Sequence, residues 1–216
     1  MHALFQDRAE AGRMLAQRLK HQAGPGTVIL ALPRGGVPVG FELAVALGAE
    51  LDVLPVRKLG VPGQPELAMG AIAPGGALHV DRDTMRAAHV TQAQFDAVLA
   101  VEQSELARRE ALYRCGATPV PVEGRLAIVV DDGIATGATM QAAVKALRER
   151  GPARIIVAVP VAPMGAEADF TEIAAEFVCV AQPALFFSVG QHYNEFGQTT
   201  DEEVNDLLAR ARARKD

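Results

Sequence analysis

The sequence contains few residues of the kinds that crosslink small proteins or build metal sites. Only two of its 216 residues are cysteines, Cys115 and Cys179, which argues against a disulfide framework and favours two unreactive thiols in a reducing compartment. Its five histidines form no HExxH or Cys/His pattern, so a zinc site built by the protein alone is not expected. Aromatic residues make up only 5% of the chain, so a local group of them is informative.

The chain also lacks long apolar runs and a strong charge of either sign. It has no apolar run of roughly 18 residues, and its first residues show no apolar segment of signal-peptide type, so we expect a cytoplasmic protein that does not span a membrane. The formal net charge is −5, from 26 acidic and 21 basic residues. Because this balance gives no general attraction for nucleic acid, we expect no nucleic-acid partner, although loops and helix ends can still bind an anion locally.

Short apolar runs of strand length alternate with stretches of helical pattern through most of the chain. Continuous apolar runs are typical of strands buried on both faces of a parallel sheet. The predicted strands are residues 27–32, 51–56, 125–130, 155–161 and 177–181, the last as a central strand. The predicted helices are residues 37–47, 91–113, 139–150 and 164–174, with one more after Asp7 and one after Thr200. This order predicts an α/β fold with an open, mostly parallel sheet flanked by helices, which binds ligands at the carboxyl ends of its strands.

The region between the second and third of these strands follows a different pattern. Residues 60–65 contain two glycines and two prolines, which predict a loop. Residues 69–73 and 77–80 predict a hairpin. Thr91 and Gln94 then predict a capping box at the start of a long, charged helix.

The most informative segment is VVDDGIATGAT, residues 129–139. An apolar strand ends in two acidic residues, and a turn rich in glycine and threonine leads into a well-patterned helix. Consecutive amide groups at a helix N-terminus bind anions, phosphate above all, and the small turn residues let a ligand approach the backbone. Thr136 and Thr139 add hydroxyl donors. The segment lacks the GKS or GKT ending of a Walker loop and the GxGxxG of a dinucleotide fold, so it predicts a phosphate site of another kind.

Asp131 and Asp132 stand directly before this turn. Two carboxylates repel a neighbouring phosphate unless sugar hydroxyls or a divalent metal lie between them. The combination therefore predicts binding of a sugar phosphate, with the phosphate in the turn and the hydroxyls on the aspartates. The alternative is a strand–turn–helix unit with an acidic turn and no ligand.

Residues 129–139 resemble the signature of type I phosphoribosyltransferases, which bind phosphoribosyl pyrophosphate (PRPP). The resemblance implies that Asp131 and Asp132 bind the ribose hydroxyls. It also implies that the 5′-phosphate is held by the loop residues Ala135, Thr136, Gly137, Ala138 and Thr139. The whole chain, including FQDRAEAG near its start and FFSVGQHYNEFGQT near its end, is similar to family members whose acceptor is not assigned.

Two further segments follow predicted strands and agree with this resemblance. Pro33, Arg34, Gly35 and Gly36 form a turn after the first strand, where the family has its pyrophosphate loop. The segment RKLGVP at residues 57–62 is similar to the start of the flexible loop in adenine phosphoribosyltransferases. Taken alone, the first is a turn with a surface arginine and the second begins with a solvated pair of cations.

The resemblance implies a reaction in which a nitrogenous acceptor, expected to be a nucleobase, displaces pyrophosphate from C1 of PRPP. Arg34, Arg57 and Lys58 are then the catalytic candidates, because cations stabilise the charge of the leaving group. Mg²⁺ is the implied cofactor, and Asp131 and Asp132 would reach it only indirectly, through substrate or water.

The acceptor is less well defined than the donor. The 6-oxopurine enzymes of the family have an acid directly before the TG pair, where this chain has Ala135, which argues against hypoxanthine or guanine. Residues 60–69 would form a loop that closes over the site and excludes water. The aromatic residues Phe186, Phe187, His192, Tyr193 and Phe196 either stack on a base or form a small core for the tail.

We predict a single domain over residues 1–216 with its core at about 27–161. A helical insertion at about 91–113 and a hood made of N- and C-terminal segments would be added to this core. The resemblance implies a homodimer. Two alternatives stay open: a PRPP-binding regulatory protein with little or no catalysis, and another PRPP user such as a sugar-phosphate hydrolase.

Overall fold

The computed structural model describes residues 3–24 and 26–214. In chain order, its elements are α1 (Arg8–Leu19), β1 (Thr27–Ala31), α2 (Gly36–Leu47), β2 (Glu50–Val53), β3 (Arg57–Val61), β4 (Gln64–Ala73), β5 (Ala77–Val80), α3 (Arg82–Ala87), α4 (Gln92–Arg114), β6 (Leu126–Val130), α5 (Ala138–Arg148), β7 (Arg154–Val161), β8 (Glu176–Ala181) and α6 (Asp201–Ala213). Short 3₁₀ helices lie at Lys20–Gln22, Ala166–Phe170 and Gly190–His192.

The main sheet is parallel throughout, with the strand order β2-β1-β6-β7-β8. This confirms the predicted α/β fold with an open, mostly parallel sheet flanked by helices. Every residue of β1 is buried, and so is every residue of β6 and β7 after the first, as their apolar runs predicted. The prediction that residues 177–181 form a central strand is wrong, because β8 lies at the edge of the sheet beside β7 and is only half-buried.

Two apolar cores cover the two faces of this sheet. On one face lie α1, α2 and α6, where the side chains of Leu15, Leu43 and Leu208 are fully buried. On the other face lies α5, with Val144 and Leu147 buried. Each such side chain contributes roughly 1.5–3 kcal/mol through its removal from water. Because parallel strands end at one edge, the loops after β1 and β6 are brought together there.

A second, antiparallel sheet of β3, β4 and β5 packs against α4. The predicted hairpin around residues 74–76 is confirmed, but the loop predicted for residues 60–65 is wrong. There β3 and β4 continue into a tight turn, in which Gly63 adopts a φ of 80°. Leu59 and Val61 point into the core under α4 and are buried, so packing favours a strand despite the glycines and prolines.

Helices α1, α4 and α6 begin at their predicted caps. The carboxylate of Asp7 accepts the amide N–H of Glu10 at 2.7 Å, and Thr200 caps α6 in the same way. Thr91 and Gln94 form a complete capping box at the start of α4. Such caps contribute about 1 kcal/mol each.

Two helical segments differ from the prediction. An α-helix was predicted at residues 164–174, but that segment contains only the 3₁₀ helix Ala166–Phe170, which begins after Gly165 in a left-handed conformation (φ 81°). Helix α3 was not predicted, because none of its six residues is buried and it therefore carries no apolar stripe. Its start is capped by the carboxylate of Asp81.

A buried ion pair joins α4 to the edge strand β2. Nη1 of Arg114 donates to both carboxylate oxygens of Asp52, at 3.1 and 2.9 Å, and the two side chains are 8% and 4% exposed. Asp52 also accepts the amide N–H of Val120 at 2.9 Å. Because removing one member of a buried pair costs about 3–5 kcal/mol, this contact fixes the C-terminal end of α4 against the main sheet.

Residues from near both ends of the described chain pair above the carboxyl edge of the main sheet. The amides of Leu4 and Phe5 donate to the carbonyl oxygen of His192 at 2.9 and 3.0 Å, and the amide of Asn194 donates to Phe5 at 2.9 Å. The rings of Phe5 and Tyr193 lie 5.2 Å apart. The two segments therefore form one layer beside the loops after β6 and β7.

Cys115 is exposed and Cys179 is half-buried, and both are free thiols. Burial raises the pKa of the Cys179 thiol to about 11, which keeps it protonated and unreactive at neutral pH. None of the helices in the described residues is both long and apolar enough to cross a lipid bilayer.

Candidate functional site

The loops after β1 and β6 touch each other at the carboxyl edge of the main sheet. A β-carbon built on Gly35 would lie 2.1 Å from Oδ2 of Asp132, and one built on Gly36 would lie 2.7 Å from the carbonyl oxygen of Val130. Only glycine lets the two loops approach so closely, which explains the GG pair. The peptide bond between Pro33 and Arg34, in the same turn, is cis. The structure thus brings the predicted pyrophosphate loop and the predicted ribose carboxylates into contact.

Arg8 and Tyr193, for which the sequence predicts no contact with the acid pair, hold Asp132 in place. Nε of Arg8 in α1 donates to Oδ2 of Asp132 at 2.8 Å, and these side chains are 13% and 14% exposed. Arg8 also donates to the carbonyl oxygen of Gly197 at 2.7 Å and lies over the ring of Phe196, with Cζ 3.9 Å from the ring centre. The hydroxyl of Tyr193 donates to the main-chain oxygen of Asp132 at 2.5 Å. Both ends of the described chain therefore contribute to this site.

Burial dominates the electrostatics of the acid pair. Loss of hydration, and then the charge of Asp132, hold the pKa of Asp131 well above its usual range. Loss of hydration also raises the pKa of Asp132, although the charge of Arg8 and its hydrogen bond oppose this rise. Two adjacent carboxylates facing one cation are suited to a ligand that brings hydroxyl donors or a second cation.

The predicted phosphate loop runs from Ala135 into the first turn of α5. Gly137 adopts a left-handed conformation with a φ of 73° and precedes the helix, which begins at Ala138. Among the described residues, no side chain caps this helix start, and Ala135, Thr136, Ala138 and Thr139 are exposed. Exposed amides at an uncapped helix N-terminus can bind a phosphate group.

A cleft of about 650 Å³ lies between the β3–β4 hairpin, α4 and the start of α5. Its lining includes Arg57 and Lys58 from β3 and Thr139 from the phosphate loop. Nε of Arg57 donates to Glu102 of α4 at 2.6 Å. The structure therefore brings both predicted cations of the hairpin to the loop that was predicted to bind the 5′-phosphate. Residues 60–69, which were predicted to form a loop that closes over the site, belong instead to the paired strands of the β3–β4 hairpin.

Arg34 lies outside the lining of this cleft. Its Nη1 is 3.8 Å from Oδ1 of Asp201 at the start of α6, and its side chain is 36% exposed. The same carboxylate oxygen accepts the hydroxyl of Tyr113 at 2.9 Å. The Arg34 side chain thus faces the start of α6 from the glycine turn, and the structure does not group it with Arg57 and Lys58.

Most of the predicted aromatic group forms a small core rather than an open stacking surface. Tyr193 and His192 are buried, at 5% and 6% exposure. The rings of Phe186 and His192 lie 5.2 Å apart, and those of Tyr193 and Phe196 lie 5.0 Å apart. Phe187, at 78% exposure, faces solvent most, and Phe196 is 38% exposed beneath the guanidinium of Arg8.

The acid pair suits a magnesium ion only if the ligand supplies most of the coordination. Among the described residues, no group of three or more acidic, histidine or cysteine side chains could hold a metal ion. One oxygen of Asp132 is bonded to Arg8, and one of Asp131 accepts the amide of Asp132 at 2.9 Å. Mg²⁺ commonly binds one or two carboxylates together with water and substrate phosphates, and these residues fit that arrangement.

Comparisons with known proteins agree on one family. A family model described as “Phosphoribosyl transferase domain” matches residues 3–181. Two proteins of Mycobacterium tuberculosis, from strains CDC 1551 and H37Rv, are each named “Putative phosphoribosyl transferase”. They are 52% identical to the chain over 208 residues, which are 96% of this chain and 47% of each relative. The chain therefore spans about half the length of these curated relatives.

A solved structure extends the comparison to the fold. The crystal structure of TT1426 from Thermus thermophilus is 40% identical in sequence, with a TM-score of 0.89. The match covers 97% of this chain and 99% of the other.

Proposed function

Because the chain belongs to the phosphoribosyl transferase domain family, whose members are glycosyltransferase-type enzymes, we propose that it transfers the 5-phosphoribosyl group of PRPP to a nitrogenous acceptor and releases pyrophosphate. The observation that carries this proposal is the contact of the glycine turn, Gly35 and Gly36, with Asp131 and Asp132. A turn without β-carbons directly against two carboxylates leaves room for a diphosphate and a ribose to lie side by side.

In this proposal, the acid pair and the phosphate loop hold the two ends of the ribose 5-phosphate. The carboxylates of Asp131 and Asp132 accept hydrogen bonds from the ribose hydroxyls. The amides of residues 135–139 and the hydroxyls of Thr136 and Thr139 donate to the 5′-phosphate. Arg8 supports this arrangement, because it holds one oxygen of Asp132 at 2.8 Å and so fixes the plane of that carboxylate.

The chemical step needs positioning and charge stabilisation more than covalent help from the protein. The bond from C1 to the pyrophosphate oxygen breaks, a bond from C1 to the acceptor nitrogen forms, and pyrophosphate leaves with the electron pair of the broken bond. Arg57 and Lys58 stabilise the charge that develops on the leaving group from the cleft, and Arg34 would do so from the glycine turn by leaving Asp201. When bound, Mg²⁺ supplies further neutralisation of the pyrophosphate, and Asp131 and Asp132 would hold it through the ribose hydroxyls or water.

The acceptor is proposed to be a nucleobase other than a 6-oxopurine. Ala135 stands where 6-oxopurine enzymes of this family have an acid. Because His192 and Tyr193 are buried and the ring of Phe196 is covered by Arg8, Phe187 is the most exposed member of the group and the candidate to contact a base.

The proposal is tested by measuring pyrophosphate release from PRPP with Mg²⁺ across a panel of purine, pyrimidine and pyridine bases. We expect release with one base and loss of that release in Asp132→Asn. Calorimetry should show PRPP binding weakened in the same variant. Unchanged PRPP affinity in Asp132→Asn would refute the site, and tight PRPP binding without release would favour a regulatory protein.

A second variant tests the phosphate loop by itself. Thr139→Val removes one donor and should weaken binding of ribose 5-phosphate about tenfold, as expected for the loss of a hydrogen bond to a charged group. Thr171→Val, at the exposed end of the 3₁₀ helix Ala166–Phe170, is the matched control. Equal affinity of the two variants would contradict the assignment of the loop.

A further inference from the structure

Helix α4 contributes a cation to the cleft that neither the sequence nor the proposed function assigns. Arg109, in its C-terminal half, lines the cleft together with Arg57, Lys58 and Thr139. The helix that the sequence predicted as an insertion therefore forms one wall of the candidate site. Its position is set by the buried pair of Asp52 and Arg114 at its C-terminal end, one turn beyond Arg109.

The two arginines of the cleft are held in the same way. Nε of Arg57 donates to Glu102 at 2.6 Å, and Nε of Arg109 donates to Glu105 at 2.8 Å. Both glutamates belong to α4 and lie three residues apart, so they share one face of the helix. Within the described part of the chain, neither arginine has a hydrogen-bond partner at Nη1 or Nη2.

The terminal Nη groups of Arg57 and Arg109 are therefore available to bind a ligand. An arginine held at Nε keeps its two terminal Nη groups for the oxygens of a phosphate, in the paired geometry that makes such contacts strong. The pair of Arg109 with Glu105 persists at neutral pH, because hydrogen bonds from Arg108 and Arg109 lower the pKa of Glu105 to about 2. At about 650 Å³, the cleft falls within the usual size of a small-molecule site.

We propose that Arg109 is a third cation of this cleft and binds the leaving group of the phosphoribosyl donor together with Arg57 and Lys58. This inference rests on the proposed function, and it gives helix α4 a direct part in substrate binding. Glu105 acts through Arg109, since it fixes the guanidinium by Nε and leaves the Nη groups to the ligand.

The chain offers a matched control in the neighbouring arginine. Arg108 bonds the same Glu105, at 2.8 and 2.9 Å, but its side chain is 63% exposed and does not line the cleft. The probe is inorganic pyrophosphate with Mg²⁺, titrated by calorimetry at low ionic strength. Arg109→Met should weaken pyrophosphate binding about tenfold or more, because it removes charge-assisted hydrogen bonds. Arg108→Met should change the affinity by less than about twofold, as is usual for an exposed pair.

Arg109→Lys separates charge from geometry. It should recover part of the affinity, because lysine restores the charge without the paired donors. Thermal unfolding of each variant shows whether the fold is retained, and a helix position that is 36% exposed should tolerate these changes.

The outcomes distinguish this inference from the proposed function. Equal pyrophosphate affinity of Arg108→Met and Arg109→Met would overturn the inference, even if the wild type binds PRPP and releases pyrophosphate from it. Pyrophosphate binding that depends on Arg109, in a protein that does not bind PRPP, would keep the cleft as an anion site and refute the proposed function. A wild type that binds neither compound would refute both.

Discussion

Replacement of Arg8 by methionine removes the cation that faces the acid pair while keeping most of the length of the side chain. In the wild type, Nε of Arg8 lies 2.8 Å from Oδ2 of Asp132, and neither side chain is more than 14% exposed. The change leaves Asp132 without the cation that opposes the rise of its pKa through loss of hydration. We therefore expect Arg8→Met to destabilise the protein and to weaken PRPP binding.

The expected loss of stability in Arg8→Met follows from how deeply the pair of Arg8 and Asp132 is buried. Breaking a fully buried pair costs about 3–5 kcal/mol, and because this pair keeps some contact with water, we expect a loss of about 2–3 kcal/mol. For a chain of this length, that corresponds to a fall in Tm of roughly 5–10 °C. Part of the loss belongs to the contact of Arg8 with Phe196 and the hydrogen bond to Gly197, which methionine also lacks.

A double-mutant cycle separates these contributions. The free energy of unfolding is measured in urea for the wild type, Arg8→Met, Asp132→Asn and the double variant. Arg8→Met should lower the free energy of unfolding by less in the Asp132→Asn background than in the wild type. The difference, which is the coupling energy between the two residues, should be about 1–2 kcal/mol. The control on the same helix is Arg13→Met, since Arg13 lies 3.5 Å from Glu42 and is 55% exposed.

An Arg8→Met variant that loses no more free energy of unfolding than Arg13→Met would refute a stabilising role of the pair. A cycle without coupling would refute it too, because the loss would then come from packing and not from the charge of Asp132. A variant that is destabilised but binds PRPP like the wild type would limit Arg8 to a role in stability.

Three further predictions concern the same edge of the sheet. Asp131→Asn should raise the Tm at pH 7.5 and abolish PRPP binding. Folding raises the pKa of Asp131, so the charged carboxylate destabilises the folded protein above its usual pKa of about 3.9. The increase in Tm should therefore disappear as the pH falls towards about 3.9. Gly35→Ala should weaken PRPP binding about tenfold or more, because its β-carbon would lie 2.1 Å from the carboxylate of Asp132. The control is Gly24→Ala, which should leave PRPP binding unchanged because a β-carbon there would meet nothing within 4 Å. Tyr193→Phe removes the 2.5 Å hydrogen bond to the Asp132 carbonyl oxygen and should lower the free energy of unfolding by about 1–2 kcal/mol in urea; an unchanged value would mean that the bond adds nothing to stability.

The parallel sheet and the position of the site were predictable because they depend on local patterns. Strands β1, β6 and β7 are continuous apolar runs, and a parallel sheet buried on both faces produces that pattern directly. The loops that follow them carry the chemistry, so the rule that ligands bind at strand carboxyl ends located the glycine turn and the acid pair. The turn between β3 and β4 was predicted to be a loop because residues 60–65 are rich in glycine and proline. The alternating buried residues Leu59 and Val61 are too few to indicate a strand against that signal.

The partners of Asp132 could not be predicted, because no local pattern links them to it. Arg8 is 124 residues away in sequence and Tyr193 is 61 residues away. Arg8 stands in an ordinary first turn of a helix, and its role depends on the angle at which α1 meets the sheet. Arg109 was missed for a similar reason: on a charged helix, its reach into a cleft depends on the packing of α4 against β3.

The pairing of residues 4–6 with residues 192–195 has a consequence for how the protein folds. The strands and helices of the main sheet can form from the segments between them, but Asp132 obtains both of its partners only when these two distant segments meet. Such contacts between distant residues form slowly, since the entropy of closing a long loop must be overcome first. We expect the ligand site to be the last region to become ordered, so that a bound ligand would accelerate the final step of folding or slow the first step of unfolding.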